Sequence, residues 1–143
     1  MGKRQIRHEV IREVIRGRGV KTQQDLVDAL SARGFRCTQA TVSRDVQEIG
    51  LVKGANGCYV LAEELRLQRM ISELVVDAAA AGHFVVVHTM GGSASSLAAA
   101  IDESRLMGVL GTVAGDDTVF IAVDTEEHVA RVLALFMGLI GQN

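Results

Sequence analysis

The chain carries two groups of side chains suited to binding, and none with the spacing that bond-making requires. The first lies in Thr38–Gly50, TQATVSRDVQEIG. At the helical turn per residue, Val42, Val46 and Ile49 fall on one narrow stripe, and Arg44 points almost directly away from it. Thr41 and Ser43 flank Arg44 toward the helix start, where free amides and the positive end of the dipole favour phosphates and base edges.

The second group is acidic. Asp116 and Asp117 stand side by side between two β-type runs, and Asp102 ends a preceding helical stretch. Adjacent carboxylates repel each other, so such a turn is either plain solvated surface or the holder of a cation. A divalent metal needs further carboxylate or histidine ligands; a guanidinium needs paired planar oxygens with room for several charge-assisted bonds. Catalytic patterns are absent from the sequence: it has no HExxH, no Walker loop, and no nucleophile beside a base motif. A metal-dependent enzyme built on the Asp pair therefore asks for more ligands than the chain offers. Cys37 and Cys58 sit in no CxxC and beside no histidine at ligand spacing, which reads as structural thiols.

Charge separates the two groups. Residues 1–62 hold 11 Lys/Arg against 6 Asp/Glu, and residues 63–143 hold 4 against 11, so the overall −2 hides a basic part and an acidic part. The basic part fits a polyanion; the acidic remainder fits a cationic ligand or none. With 48% hydrophobic residues the chain is not generally disordered. It shows neither a signal-peptide core nor a membrane-length apolar run, so the expectation is a cytoplasmic protein with no membrane partner.

Elements that position these groups follow from periodicity and caps. Lys3–Gly17 puts Ile6, Val10, Ile11, Val14 and Ile15 on one helical face, with Arg4, Arg7, Arg12 and Arg16 largely off it. Thr22 with Asp25 three residues on announces a second helix, carried by Leu26, Val27 and Leu30 to Gly34. Thr38 caps the third helix and Gly50 stops it. Two short apolar runs then flank Ala55-Asn56-Gly57, where Asn-Gly favours a tight hairpin turn with both positions at positive φ. Three helices and a β-hairpin make a winged helix-turn-helix, with Gln39, Thr41, Ser43 and Arg44 presented to the major groove of double-stranded DNA. Lys53 on the hairpin is equally a phosphate contact or a solvated wing lysine.

Beyond the charge change near Glu63–Arg66, Ala62–Gly82 reads as helix, with Leu65, Met70, Leu74 and Ala78 on a common face. Phe84–Val87 reads as a strand buried on both faces, between two strand-end histidines, His83 and His88. Thr89–Ala94 is a glycine loop leading into a helix that carries Ala94, Leu97, Ala98 and Ile101; it suits a small-molecule carboxylate better than a nucleotide. Gly108–Gly115 and Thr118–Asp124 are strands about the acidic turn. Thr125 caps a closing helix with Val129, Val132, Leu133, Phe136 and Ile140 inward. The expected fold class is thus a winged helix-turn-helix followed by a small α+β domain. At about eighty residues and rich in Ala, Val, Leu and Ile, the second part cannot easily cover its own apolar faces alone and should assemble.

TQATVSRD at Thr38–Asp45, TQQDLVDAL at Thr22–Leu30 and GTVAGDDT at Gly111–Thr118 together resemble the bacterial arginine repressors, in order and spacing, over nearly the whole chain. The resemblance implies a winged helix-turn-helix in residues 1–64, a linker and first helix in 65–82, and an arginine-binding, oligomerising domain in 83–143. It implies a regulator and not an enzyme: a repressor of arginine biosynthesis genes that can also activate catabolism, with no cofactor beyond L-arginine as effector. Positions matching the family's ligand contacts are Ser95, Asp102, Thr112, Ala114, Asp116 and Asp117. Asp102, Asp116 and Asp117 can enclose the guanidinium and α-amino groups of free arginine while the Thr89–Ala94 loop faces its carboxylate. The family forms trimers through this domain and hexamers from two trimers, with arginine where the trimers meet. Two departures stand out: Gly91 where proline is common, and Ser95 where glutamine is common. They leave open a member with altered or lost arginine response. A nonspecific architectural DNA binder is the remaining alternative, though an acidic, turn-rich second domain serves that purpose poorly.

Overall fold

A computed structural model describes residues 2–17 and 19–142. The chain divides into two compact units, one ending at Leu65 and the other starting at Arg66. The first holds helices α1 (Lys3–Gly17), α2 (Gln23–Ala32) and α3 (Gln39–Ile49), then strands β1 (Leu51–Lys53) and β2 (Tyr59–Leu61). Helix α4 (Ala62–Leu74) spans the division. The second unit continues with β3 (Val75–Ala81), β4 (Phe84–Thr89), α5 (Ala94–Ser104), β5 (Val109–Ala114), β6 (Thr118–Val123) and α6 (Glu126–Leu139). The architecture is a winged helix-turn-helix followed by a mixed α+β domain.

Local chemistry sets the helix starts in the first unit. The Thr22 hydroxyl accepts from the Asp25 amide, and the Asp25 carboxylate accepts from the Thr22 amide, closing a reciprocal box at the start of α2. The Thr38 hydroxyl accepts from the Thr41 amide, and Gly50 ends α3 in the left-handed region at φ 84°. Ile11, Val14, Leu26, Leu30, Val42, Val46 and Ile49 then meet Leu51 and Leu61 in one core. Each such side chain taken fully from water contributes about 1.5–3 kcal/mol. The hairpin register pairs Leu51 with Leu61 and Lys53 with Tyr59.

The turn of that hairpin differs from the expected form. Gly57 has φ 79°, but Asn56 is not at positive φ. The Gly57 amide donates to the Gly54 carbonyl, the Gly54 amide to the Cys58 carbonyl, and the Cys58 amide to the Asn56 side chain. A turn followed by a left-handed glycine closes a longer loop in which Asn56 needs only its side-chain oxygen.

In the second unit the sheet is antiparallel, in the order β3-β4-β6-β5. Its inner face supplies Val85, Val87, Val119, Ile121 and Val123, which pack with Leu97 and Ile101 of α5, Val132 and Phe136 of α6, and Leu67 and Ile71 of α4. Two expectations are corrected here. The helix read through Gly82 stops at Leu74, and Val75–Ala81 is strand. Alanine favours helix, but pairing along the whole length of β4 satisfies the backbone of this segment, and that non-local gain outweighs a propensity of tenths of a kcal/mol per residue, roughly. Nor is Phe84–Val87 buried on both faces. Burial alternates, with Val85 and Val87 inward and Phe84 exposed, because helices cover only one side of the sheet. Among the described residues no helix is long and apolar enough to cross a membrane.

Candidate nucleic-acid interface and acidic turn

Helix α3 presents its residues as its periodicity requires. Val42, Val46 and Ile49 are buried, while Arg44 and Gln39 are exposed and Thr41 and Ser43 are half-buried. The Thr41 hydroxyl lies 3.1 Å from that of Thr38, so Thr41 shares in the cap as well as facing outward. Lys53 is exposed on the wing, its ammonium 4.3 Å from the centre of the Tyr59 ring, a cation–π contact that holds the side chain against the hairpin.

Ion pairing divides the basic residues of this unit. Arg4 faces Glu48, Arg7 faces Asp45, Arg12 faces Glu9, Arg16 faces Glu64 and Arg33 faces Glu13. Arg36, immediately ahead of α3, Arg44 on it and Lys53 on the wing are exposed and, among the described residues, have no carboxylate within ion-pair distance. Four arginines of α1 are paired, while Lys3 on that helix and Lys21 ahead of α2 are exposed and in no ion pair among the described residues; three further uncommitted cations stand at α3 and the wing. Arg36 was not singled out from sequence; its place directly before a capped helix was the available signal.

The residue pattern of α3 does not single out Asp45, yet its side chain is 1% exposed. Arg7 Nε and Nη2 donate to its two oxygens at 2.5 and 2.9 Å, and His8 Nε2 bonds the second at 2.8 Å. Arg7 is therefore engaged, not simply off the buried face. Burial pushes the Asp45 carboxyl up, but the bonds from Arg7 and then His8 outweigh it and hold the group below the usual carboxylate range. The same pairing raises Arg7. His8, Asp45 and Glu48 have ligand-capable atoms within 4.8 Å of one another. Asp45 has both oxygens committed to Arg7, a cation that repels a second one.

In the second unit the acidic residues fall into two local arrangements. The Thr112 hydroxyl reaches both Asp102 carboxylate oxygens at 3.1 Å, tying β5 to the last turns of α5. These residues line a cleft of about 570 Å³ with Arg105, Leu106, Val109 and Leu110. Asp116 and Asp117 are exposed in the β5–β6 turn. The Asp116 carbonyl accepts from the Gly92 and Ala94 amides, and the Asp117 carbonyl accepts from the Thr89 amide. The turn is thereby pinned to the glycine loop, and the Asp117 carboxylate accepts from the Thr118 hydroxyl at 2.9 Å. A Cβ on Gly91 would stand 3.8 Å from an Asp116 carboxylate oxygen, so the loop backbone lies close under that carboxylate. Ser95 is exposed on the first turn of α5, and Ala114 is half-buried at the end of β5. Ser93 starts α5 without a side-chain cap bond. His88 and His128 each hold a neighbouring aspartate, Asp77 and Asp124, at 2.6 Å, and the hydrogen bond from His128 keeps Asp124 below its ordinary range.

Family models match both units. One for the arginine repressor DNA-binding domain covers residues 1–67, and one for the arginine repressor C-terminal domain covers residues 71–137. An arginine repressor of Desulforudis audaxviator is 38% identical over 144 residues, 94% of this chain and 96% of its own length. That of Thermus thermophilus is 39% identical over 151 residues, 98% of this chain and 92% of its own length. A third, from Alkaliphilus oremlandii, is 39% identical over 144 residues, 94% and 97% of the two lengths. The chain belongs to the arginine repressor family, whose members are non-catalytic DNA-binding regulators.

Proposed function

We propose that this regulator binds operator DNA through α3 and the wing and takes L-arginine as corepressor at the acidic turns, repressing arginine biosynthesis genes and activating catabolic ones where operators permit. The observation that carries the DNA half is Arg44, uncommitted and exposed on a helix whose opposite stripe is sealed in the core. Gln39, Thr41 and Ser43 stand beside it to contact base edges or phosphates, and Lys53 reaches a phosphate from the wing.

On the ligand side, Asp116 and Asp117 offer paired exposed carboxylates over a loop backbone held close beneath them. Asp102 and Thr112 form a second acidic group, with Ser95 and Ala114 at the flanking positions. A guanidinium with an α-ammonium matches two acidic groups better than a single metal ion does. The outer sheet face supports self-assembly: Phe84 and Phe120 meet edge to face at 6.3 Å and stay about half exposed, and Val113, paired with Phe120, is 73% exposed. A bare apolar face of this kind suits a second copy of the domain. Homotrimers paired into hexamers bring several winged modules to repeated half-sites, as specific operator binding requires.

Calorimetric titration of the full chain with L-arginine tests the ligand half. Saturable binding that weakens about tenfold or more in Asp117→Asn is expected, because a charge-assisted pair is lost. Absence of heat with arginine, or equal affinity for lysine, would reject guanidinium recognition and favour a member with lost or altered response.

A further inference from the structure

We infer that Asp45 is a positioning residue for sequence discrimination: its buried clamp to α1 fixes the rotation of α3 and thereby the direction in which Arg44 leaves it. This rests on the reading that Arg44 contacts bases. Residues 44 and 45 are neighbours with opposite fates, Arg44 exposed and Asp45 sealed. Arg4 and, one turn on, Arg7 and His8 of α1 engage two α3 side chains one turn apart, Asp45 and Glu48. The apolar stripe of Val42, Val46 and Ile49 holds α3 against the core, but hydrophobic contact is non-directional and tolerates a helix turning or sliding by a fraction of a residue. A two-bond fork between guanidinium and carboxylate tolerates neither, since both bonds are good in one planar arrangement only.

Clamp and reading side chain are also contiguous in space. Arg4, Arg7, Asp45 and Glu48 line one small cavity with Thr41 and Arg44, so a shift of the fork reshapes a cavity that Arg44 also lines. Asp45 has a second effect of the same sign. By occupying Arg7, and with Glu48 occupying Arg4, it removes from α1 two cations that would otherwise bind any phosphate backbone. Both effects act on discrimination more than on overall affinity.

The test uses full-length protein, a duplex selected from random sequence by the wild type, and a scrambled duplex of equal length. Affinities are measured at one salt concentration, well below each variant's melting temperature. In Asp45→Asn the preference for the selected duplex should fall about tenfold or more, with affinity for the scrambled duplex unchanged or raised as Arg7 is released. Arg7→Lys keeps a cation beside Asp45 but loses the fork, and should lose discrimination in the same sense to a smaller degree while preserving the fold. In an Arg44→Ala background, Asp45→Asn should cause no further loss of discrimination, because the clamp acts through a side chain that is gone. An equal loss on both duplexes, or the same loss with and without Arg44, would reduce Asp45 to a purely stabilising role and overturn the inference. Unchanged discrimination in Arg44→Ala alone would overturn the base-reading role of Arg44 and the inference with it; a loss there with none in Asp45→Asn overturns the inference only.

Discussion

In the unit that ends at Leu65, apolar and polar contacts both close on themselves. Its stripes meet in one core, five arginines find carboxylates, and Arg36, Arg44 and Lys53 stand exposed at α3 and the wing. The unit that starts at Arg66 closes one side only. Helices seal the inner face of its sheet, while Phe84, Phe120 and Val113 remain outside. The contrast separates two ways of being finished. The first unit is complete as a single fold and incomplete only toward a polyanion. The second leaves an apolar sheet face bare, which on the function proposed above meets its own kind while the acidic turns take a cation.

The largest effect should come from charging the bare face. On the assembly proposed above, Phe120→Asp places a carboxylate where a second copy would exclude water, so the oligomer should fall to monomers by sedimentation or light scattering while far-ultraviolet dichroism stays unchanged. An unchanged mass would show that the face is merely exposed, and the contrast between the units would lose its basis. Next in size is Gly108→Ala. Gly108 has φ 84°, and a Cβ there would sit 2.5 Å from the His128 ring, at the base of a side chain that cannot swing clear. Backbone strain and overlap together should cost about 2–4 kcal/mol, read as a lower denaturant midpoint.

Acid should act on the first unit through Asp45. Its carboxyl is held below the ordinary range in the folded chain, so its contribution is complete above about pH 4, the unfolded value, and fades as pH falls through the depressed folded value. Tyr59 is the only tyrosine in a chain without tryptophan, so tyrosine fluorescence follows this unit alone. Urea midpoints read that way should drop from pH 5 to pH 3, and Asp45→Asn should flatten the drop. Removing the reciprocal cap with Thr22→Ala should cost about 1 kcal/mol by the same signal. The smallest change is expected at the wing. Lys53→Ala should weaken binding nearly equally on all duplexes and lower the slope of log affinity against log salt by about one, as for a single phosphate contact.

What the sequence disclosed follows the same division. Thr22 with Asp25, and Thr38 with Gly50, are local devices whose geometry is set within four residues or one turn, and the caps stand where those residues place them. The inward stripe of α3 and the outward Arg44 follow from helical period alone. The Asp45 clamp was hidden because its partners lie 37 and 38 residues away, and nothing in SRD distinguishes a buried aspartate from a solvated one. Strand β3 was hidden for the opposite reason: Asp77–Ala81 gives a clear local signal, that of helix, and pairing with β4 overrides it. In the acidic region, sequence placed Asp116 and Asp117 in the turn that joins two strands. It gave no hint that their carbonyls hold the Gly92, Ala94 and Thr89 amides, since backbone bonds leave no trace in residue type. An apolar run such as Phe84–Val87 likewise states that its faces avoid water without stating whether this chain or another copy covers them.

Titration of one operator duplex with the full chain, with and without L-arginine at a fixed salt concentration, joins the two units in a single number. The account predicts tighter binding with arginine by about 5- to 150-fold, the usual range of coupling between distinct sites. The same constant in both conditions would contradict it, leaving a DNA-binding chain whose acidic turns do not govern its hold on the operator.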